Sequence, residues 1–477
     1  MSFLLRYMKL SVIKSIAPLC AFVLIFSACS VSQPVPSQTQ TNETVTSSGT
    51  TQTVESVKET VTPAPSATIP AELASLKDTH IKIIHPWTDG AGVQFSRLID
   101  SFNRENIWKI QIEESHSGSV SETARIFTDS METSDRLDMV VTTPEYLAVW
   151  NDTGYTIDLT DFMENPEWGM PEKEKKAFLP AVWNTQIRKD RLIGIPVQVN
   201  LQFLVYNQTW AKELGFDKAP ETQDDLLKQL CEAAHANNFD TVKENDGTGG
   251  WIINSSSPVL LSWINAFGGS KAWADDQVTI NQDETGEAFS YLRQLTEKGC
   301  AWNSRVASPF TYFAGRQALV ISATLPDLLE LEETMSFAKN KDEWIILPYP
   351  GSEKPAPVLM SGLSIGVAKT RPVNELAAWL FLRWLTQPRN QAILAEAAGS
   401  IPPSTSTIDL MKTFSEKHVW WKTATELTPS GVMLPALPAW QKVRPVLEDG
   451  FWQMLQPTPI PVPTLMEQID QTIKSVP

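Results

Sequence analysis

The sequence is poor in the residues that most enzyme chemistry needs. Of 477 residues only five are His and four are Cys. The His, at positions 80, 85, 116, 235 and 418, fall into no HExxH pattern, and neither GxxxxGK[ST] nor CxxC occurs, so the spacings of zinc peptidases, P-loop nucleotide enzymes and dithiol redox centres are missing. Basic charge is short as well: 39 Lys and Arg against 55 Asp and Glu leave a formal net charge of −16. Phosphate backbones are held by clustered Lys and Arg, which argues against a nucleic-acid partner. Tyr is scarce at seven, unfavourable for a Tyr and carboxylate site for ferric iron, and no metal or cofactor is expected. A glycosidase needs only two carboxylates about 5 to 9.5 Å apart, so among 55 acids a secreted glycan-active enzyme stays open as an alternative.

What is present begins at the N-terminus. Met1 to Lys14 carries Arg6, Lys9 and Lys14 and no acid, and Ser15 to Ala28 carries no charge. That order of parts is a signal peptide's. Its apolar core, about fourteen residues, is short of the roughly 20 that a permanent span needs. Ser27 and Ala28 directly before Cys29 resemble the bacterial lipobox, with Phe26 where that box usually has Leu. Residues 1–28 are therefore expected to be removed and Cys29 acylated, each buried methylene contributing about 0.8 kcal/mol of membrane attachment. From Ser30 to about Asp78 the chain is Ser, Thr, Gln, Pro and Val with almost no aromatic residue, and it has no core to form. As a coil of roughly 49 residues it reaches on the order of 40 Å, so 29–78 reads as a tether. Beyond it no stretch has 18 uncharged apolar residues. Cys231 and Cys300 lie in this body; an exported protein permits a bridge between them, but their spacing says nothing about proximity, and free buried Cys is the commoner case.

The body alternates strand and helix patterns, the mark of an α/β fold. Ile81 to Ile84 reads as a strand, followed by the loop His85 to Gly92 and an apolar-periodic helix over Val93 to Asn103. Ile110 to Ile112 and Leu137 to Val141 read as further strands. Ligands of open α/β sheets sit past the carboxyl ends of strands, so His85 to Gly90 and Thr142 to Tyr146 form one candidate rim. Arg191 to Asn207 reads as one long strand with polar residues at 198, 200 and 202 on a single face, long enough to cross between two domains. Helices are expected over Thr222 to Ala236, Glu284 to Lys298, Asn374 to Thr386 and Gln391 to Ala398, and strands over Gly315 to Thr324, Trp344 to Pro348 and Leu363 to Ala368.

Five stretches, in order, carry a resemblance: IKIIHPWTDGAG with FNREN; LDMVVTTPEYLAVWNDTGYTIDLTDFM; LIGIPVQVNLQFLVYNQTWAKELGF with APETQDDLL; FAGRQALVIS; and GLSIGVAKT with AAWLFLRWLTQPRNQAILAEAAGSIPPSTS. Together they resemble the extracellular solute-binding proteins of carbohydrate ABC importers, the maltose-binding-protein-like group. The resemblance implies a two-lobe periplasmic-binding-protein-like α/β fold with crossing hinge strands, lobe 1 over 79–198 and 363–418 and lobe 2 over 202–358 and 420–477. It further implies a monomer on the extracytoplasmic face of the cell membrane that closes on a small solute and hands it to the permease and ATPase of an importer.

The resemblance also places binding positions. They fall at Trp87, Thr88 and Asp89 after the first strand; at Thr142, Thr143 and Glu145; at Gln198 and Asn200 on the long strand; at Ser256, Trp263 and Thr324 in the second lobe; at Ser361 and Gly362; and at Trp440. Indole faces beside uncharged polar groups suit a mono- or oligosaccharide. Each position has a plainer reading too: core or rim packing for the three Trp, a cap carboxylate for Glu145, backbone partners for Gln198 and Asn200. The family often has an acid where Asn200 stands and an aromatic where Leu325 stands, which leaves ligand size and type open. Asp89 with Glu145 keeps a polyamine as an alternative, and glycerol phosphate, which would want Arg or Lys that the candidate loops have few of, is another.

Overall fold

Buried isoleucines make the first strand. In β1 (His80–His85) Ile81, Ile83 and Ile84 are buried, and the strand pairs in parallel with β2 (Gln111–His116) and β3 (Met139–Thr142). A computed structural model describes residues 75–269, 278–280, 282–304, 308–351, 354–456, 458 and 460–475; the leader, Cys29 and nearly all of the tether lie outside the described residues. The helices Gly90–Glu105 and Val120–Ser130 carry the chain between these strands. Each is capped by a side chain that accepts an otherwise unpaired amide, Asp89 from Ala91 at 2.9 Å and Ser119 from Glu122 at 3.2 Å.

The long strand expected over 191–207 is interrupted. Residues Ile187–Arg188 (β4) and Arg191–Leu192 (β5) fold into a hairpin whose turn residues Lys189 and Asp190 have φ of 49° and 61°, the left-handed pair that a two-residue turn requires. The strand proper, β6, is Ile195–Asn207. Between the two, Gly194 faces Leu147: a Cβ there would lie 2.5 Å from Leu147 Cδ1, and one on Gly366 would lie 2.4 Å from Leu147 Cδ2. Leu147 thus seats the helix Pro144–Thr153 in a notch that only two glycines leave open.

The remaining strands are β7 (Gly249–Ile253), β8 (Ala301–Asn303), β9 (Ala318–Thr324), β10 (Trp344–Leu347), β11 (Val358–Val367) and β12 (Gly431–Met433). They form one sheet in the order β2-β1-β3-β11-β6-β9-β7-β8, with β10 also on β6 and β12 on β11. Parallel triplets stand at both ends, joined through antiparallel β11 and β6. At about 3.3 Å per residue β6 is roughly 40 Å long. Its residues 195–202 pair with β11, and residues 202–207 pair with β9 and β10, so one strand serves both ends. Register slips by a residue where Leu363 faces Gln198 and Ser364 faces Pro196, at a proline with no N–H to give the ladder.

Each end of the sheet gathers a core. Ile81, Phe95, Phe102, Ile365, Trp379 and Phe381 pack in the first. Trp251, Trp263, Phe289, Trp440, Leu447 and Phe451 pack in the second. Each such side chain contributes about 1.5 to 3 kcal/mol by leaving water. The odd residues Val199 to Val205 of β6 enter a third cluster with Ile321, Leu325 and Trp421, while Gln198, Asn200 and Gln202 keep to the opposite face. The result is a two-lobe α/β fold. In its second lobe a disulfide joins Cys231, on the helix Gln223–Phe239, to Cys300 just before β8, resolving the pairing that spacing alone leaves open.

Candidate functional site

Period-two alternation puts the polar side chains of β6 together, and neighbouring strands supply their partners. The Trp87 indole Nε1 donates to Gln198 Oε1 at 2.9 Å, and Gln198 Nε2 donates to Asn200 Oδ1 at 3.2 Å. Asn200 stands opposite Ser361 of β11, and Gln202 opposite Thr324 of β9. Gly362 allows this closeness: a Cβ there would sit 2.5 Å from Gln198 O. Trp87 itself is buried, its ring centroid 5.1 Å from that of Phe95 and 5.3 Å from that of His85. Its neighbours Thr88 and Asp89 are exposed, and the Asp89 carboxylate is occupied in capping.

A second group forms at the carboxyl end of β3. Thr142 lies opposite Ser364 on β11, Thr143 precedes the helix Pro144–Thr153, and Pro144 opens that helix. Glu145, in the first turn, is buried with its side chain 6% exposed, and Arg444 Nη2 lies 2.7 Å from its Oε1. Arg444 belongs to the helix Trp440–Met454, which packs on Val462–Ser475 and Ser257–Ala266. The pair therefore joins the helix that follows β3 to a helix packed in the second core. It is close but not aligned as a hydrogen bond: Glu145 Oε1 and Arg444 Nε have no hydrogen-bond partner among the described residues, and neither do Thr142 Oγ1, Thr143 Oγ1 or Trp440 Nε1. Trp440 and Arg444 are four apart, hence on one face of their helix.

Other predicted positions sit apart from these groups or serve the framework. Trp263 is surrounded by Trp251, Tyr291 and Tyr349 with centroids 4.9 to 6.0 Å away, and Trp440 is fully buried. Ser256 precedes the helix Ser257–Ala266 without a side-chain capping bond. The Thr324 hydroxyl donates to Asp327 Oδ2 at 2.8 Å, and burial raises the Asp327 carboxyl above its ordinary range. Two participants are absent from the sequence reading: Arg444, which the helical repeat from Trp440 would have signalled, and Tyr349, whose hydroxyl is 3.4 Å from Gln202 Nε2. Burial raises the Tyr349 hydroxyl well above its ordinary range, so it stays neutral.

One serine-hydrolase spacing occurs among the described residues. Gly362-Leu363-Ser364-Ile365-Gly366 has the GxSxG spacing of serine hydrolases, but Ser364 is buried in the interior of β11 instead of standing on a strand-to-helix elbow. Among the described residues no group of three or more His, Cys, Asp or Glu is placed to hold a metal ion, and no helix is long and apolar enough to cross a membrane. Cavities of about 510 and 540 Å3 lie elsewhere, one beside Arg188, Lys189 and Met433, the other beside Gln94, Glu396 and His418.

Two α/β ends of one sheet joined through the shared strands β11 and β6 make a two-lobe architecture. Residues 97–429 match the bacterial extracellular solute-binding protein family, and the chain belongs to it. That is a family of extracytoplasmic binding proteins, not of enzymes. Among solved structures, the cyclic alpha-maltosyl-1,6-maltose binding protein from Arthrobacter globiformis is similar at TM-score 0.68 and 17% identity, over 84% of this chain and 99% of that one. UgpB from Mycobacterium tuberculosis, in complex with glycerophosphocholine, is similar at TM-score 0.70 and 15% identity, over 83% and 98%. The Thermus thermophilus maltotriose binding protein follows at 0.63 and 17%, over 83% and 99%. At such identities the shared property is the fold. No curated protein matches the chain by sequence.

Proposed function

We propose that the chain is a lipoprotein, acylated at Cys29 and tethered by residues 29–78, that binds a neutral polyhydroxylated solute between its lobes and delivers it to an ABC permease. The solute class is a mono- or oligosaccharide. Lobe 1 then comprises 79–198 and 363–418 and lobe 2 comprises 202–358 and 420–477, with Trp87, Gln198, Asn200, Ser361 and Gly362 as the central surface and Thr142, Thr143 and Glu145 beside it. Thr88, Asp89, Ser256, Trp263, Thr324 and Trp440 complete the set at its margins.

The observation that carries this reading is the charge at the site. The strand face is uncharged amide and hydroxyl beside an indole, and the buried acid next to it, Glu145, is matched by Arg444. Hydroxyl-rich neutral ligands fit such a surface, since each hydroxyl both donates and accepts. Arg444 is also the feature that favours a second reading, a phosphorylated glycerol, because a guanidinium binds phosphate well. A thermal-shift screen of the full chain against maltose, maltotriose, sorbitol, glycerol 3-phosphate and spermidine separates them. A ligand at 100 times its Kd stabilises by about 2.7 kcal/mol, a visible rise in Tm. A response to sugars is expected; a response confined to glycerol 3-phosphate or spermidine would replace the sugar reading.

A further inference from the structure

The Glu145–Arg444 contact joins helices of the two proposed lobes, each of which is also held by apolar packing. Pro144–Thr153 is held by Leu147 in its glycine notch, and Trp440–Met454 by Trp440, Val443, Leu447 and Phe451 in the second core. The charged residues are extra to that packing. Glu145 is nearly inaccessible and Arg444 about a third exposed, at 6% and 29% of their side chains, so in this arrangement both have little water around their charges. An ion taken from water without its partner is strongly unfavourable, whereas two that meet offset each other. Around them the described residues leave Thr142 Oγ1, Thr143 Oγ1, Glu145 Oε1 and Arg444 Nε without hydrogen bonds, so the ionic contact is the main compensation this face has.

We infer that Glu145 and Arg444 make lobe closure charge-selective: the lobes close when the two charges balance, and a ligand that brings unbalanced charge between them is rejected. This rests on the interlobe binding reading above and names what that site selects against. A neutral ligand leaves the pair balanced; a lone anion or cation neutralises one member and strands the other.

The test is a charge cycle on the full chain: Glu145→Gln, Arg444→Gln and the double variant, with hydrogen–deuterium exchange read in peptides covering 144–153 and 440–454. No ligand is needed, so failure of the sugar screen does not affect it. Each single variant strands one charge and should shift closure toward the open form, raising exchange in both peptides about tenfold. The double variant removes both charges and should return to near the wild-type rate, which also shows that the substitutions fold. Equal exchange in all four proteins, or a double variant opened as far as the sum of the singles, would overturn the clamp. Selectivity is read with two charged probes: Glu145→Gln should gain a thermal shift with glycerol 3-phosphate, and Arg444→Gln with spermidine. No gain in either would overturn charge selection.

Discussion

At the scale of single residues, the predicted side chains separate by what they touch. Gln198 and Asn200 are legible in the sequence because alternation along a strand needs no knowledge of the rest of the fold. Trp87 follows a strand end and lands beside them, bonded to Gln198. Arg444 is legible only as the residue one turn after Trp440; its pairing with Glu145 depends on two helices nearly 300 residues apart in sequence facing each other. Trp87→Phe keeps most of the packing and removes the indole N–H, leaving Gln198 Oε1 a buried acceptor without its donor; a loss of about 1 to 3 kcal/mol is expected, measured by urea unfolding. Trp440 behaves differently. It is fully buried in the second core, so Trp440→Ala should lose about 3 to 5 kcal/mol of stability, measured the same way, besides any effect on binding.

At the scale of elements, helices and strands with strong periodicity come out close to expectation: Gln223–Phe239 with Thr222 as its cap, Asp283–Glu297 ahead of Gly299, Pro372–Leu385 and Pro388–Ala398. The short strands β7 and β8 are not evident in the sequence, since five and three residues carry too little pattern to stand out from loop. The break at Gly194 is invisible too, because it is set by Leu147 from a distant helix. Two junctions between elements yield predictions. The Cys231–Cys300 bridge closes a loop of sequence separation 69, and the double Ser variant should lose about 2 to 4 kcal/mol, read as a lower Tm. At the far end of β6, Arg316 donates to Asp342 at 2.7 and 2.8 Å and to Glu213 at 2.6 Å, and Asn207 donates to Asp342 at 2.8 Å. The Arg316 hydrogen bonds hold the Asp342 carboxyl below its ordinary value, against a smaller opposing effect of burial. A carboxyl whose pKa is lower folded than unfolded stabilises fully above its unfolded value, near about 4, and that stability is lost as pH falls through the folded value. Asp342→Asn should therefore show a shallower loss of stability than wild type in urea titrations between pH 5 and pH 2.

At the scale of the whole molecule, β6 serves both ends of the sheet, so the lobes share a strand, and the proposed closure would bend the molecule near it. Hinge motions of this kind are biased by whatever ligand prefers the closed form. The two-lobe architecture is legible in the sequence through the order of its segments, and the family match over 97–429 agrees with it. The solute is less so, because neutral polar residues on a strand record where a ligand can hydrogen-bond and not which ligand does. The most direct measurement is the affinity, by calorimetric titration, of the strongest solute from the thermal-shift screen for wild type and for Asn200→Ala. Asn200 is half-buried at the centre of the polar strand face. Loss of its amide should weaken binding about five- to tenfold, the worth of one net hydrogen bond, with Tm of the ligand-free protein little changed. An affinity equal to wild type would contradict a binding site on β6 between the lobes.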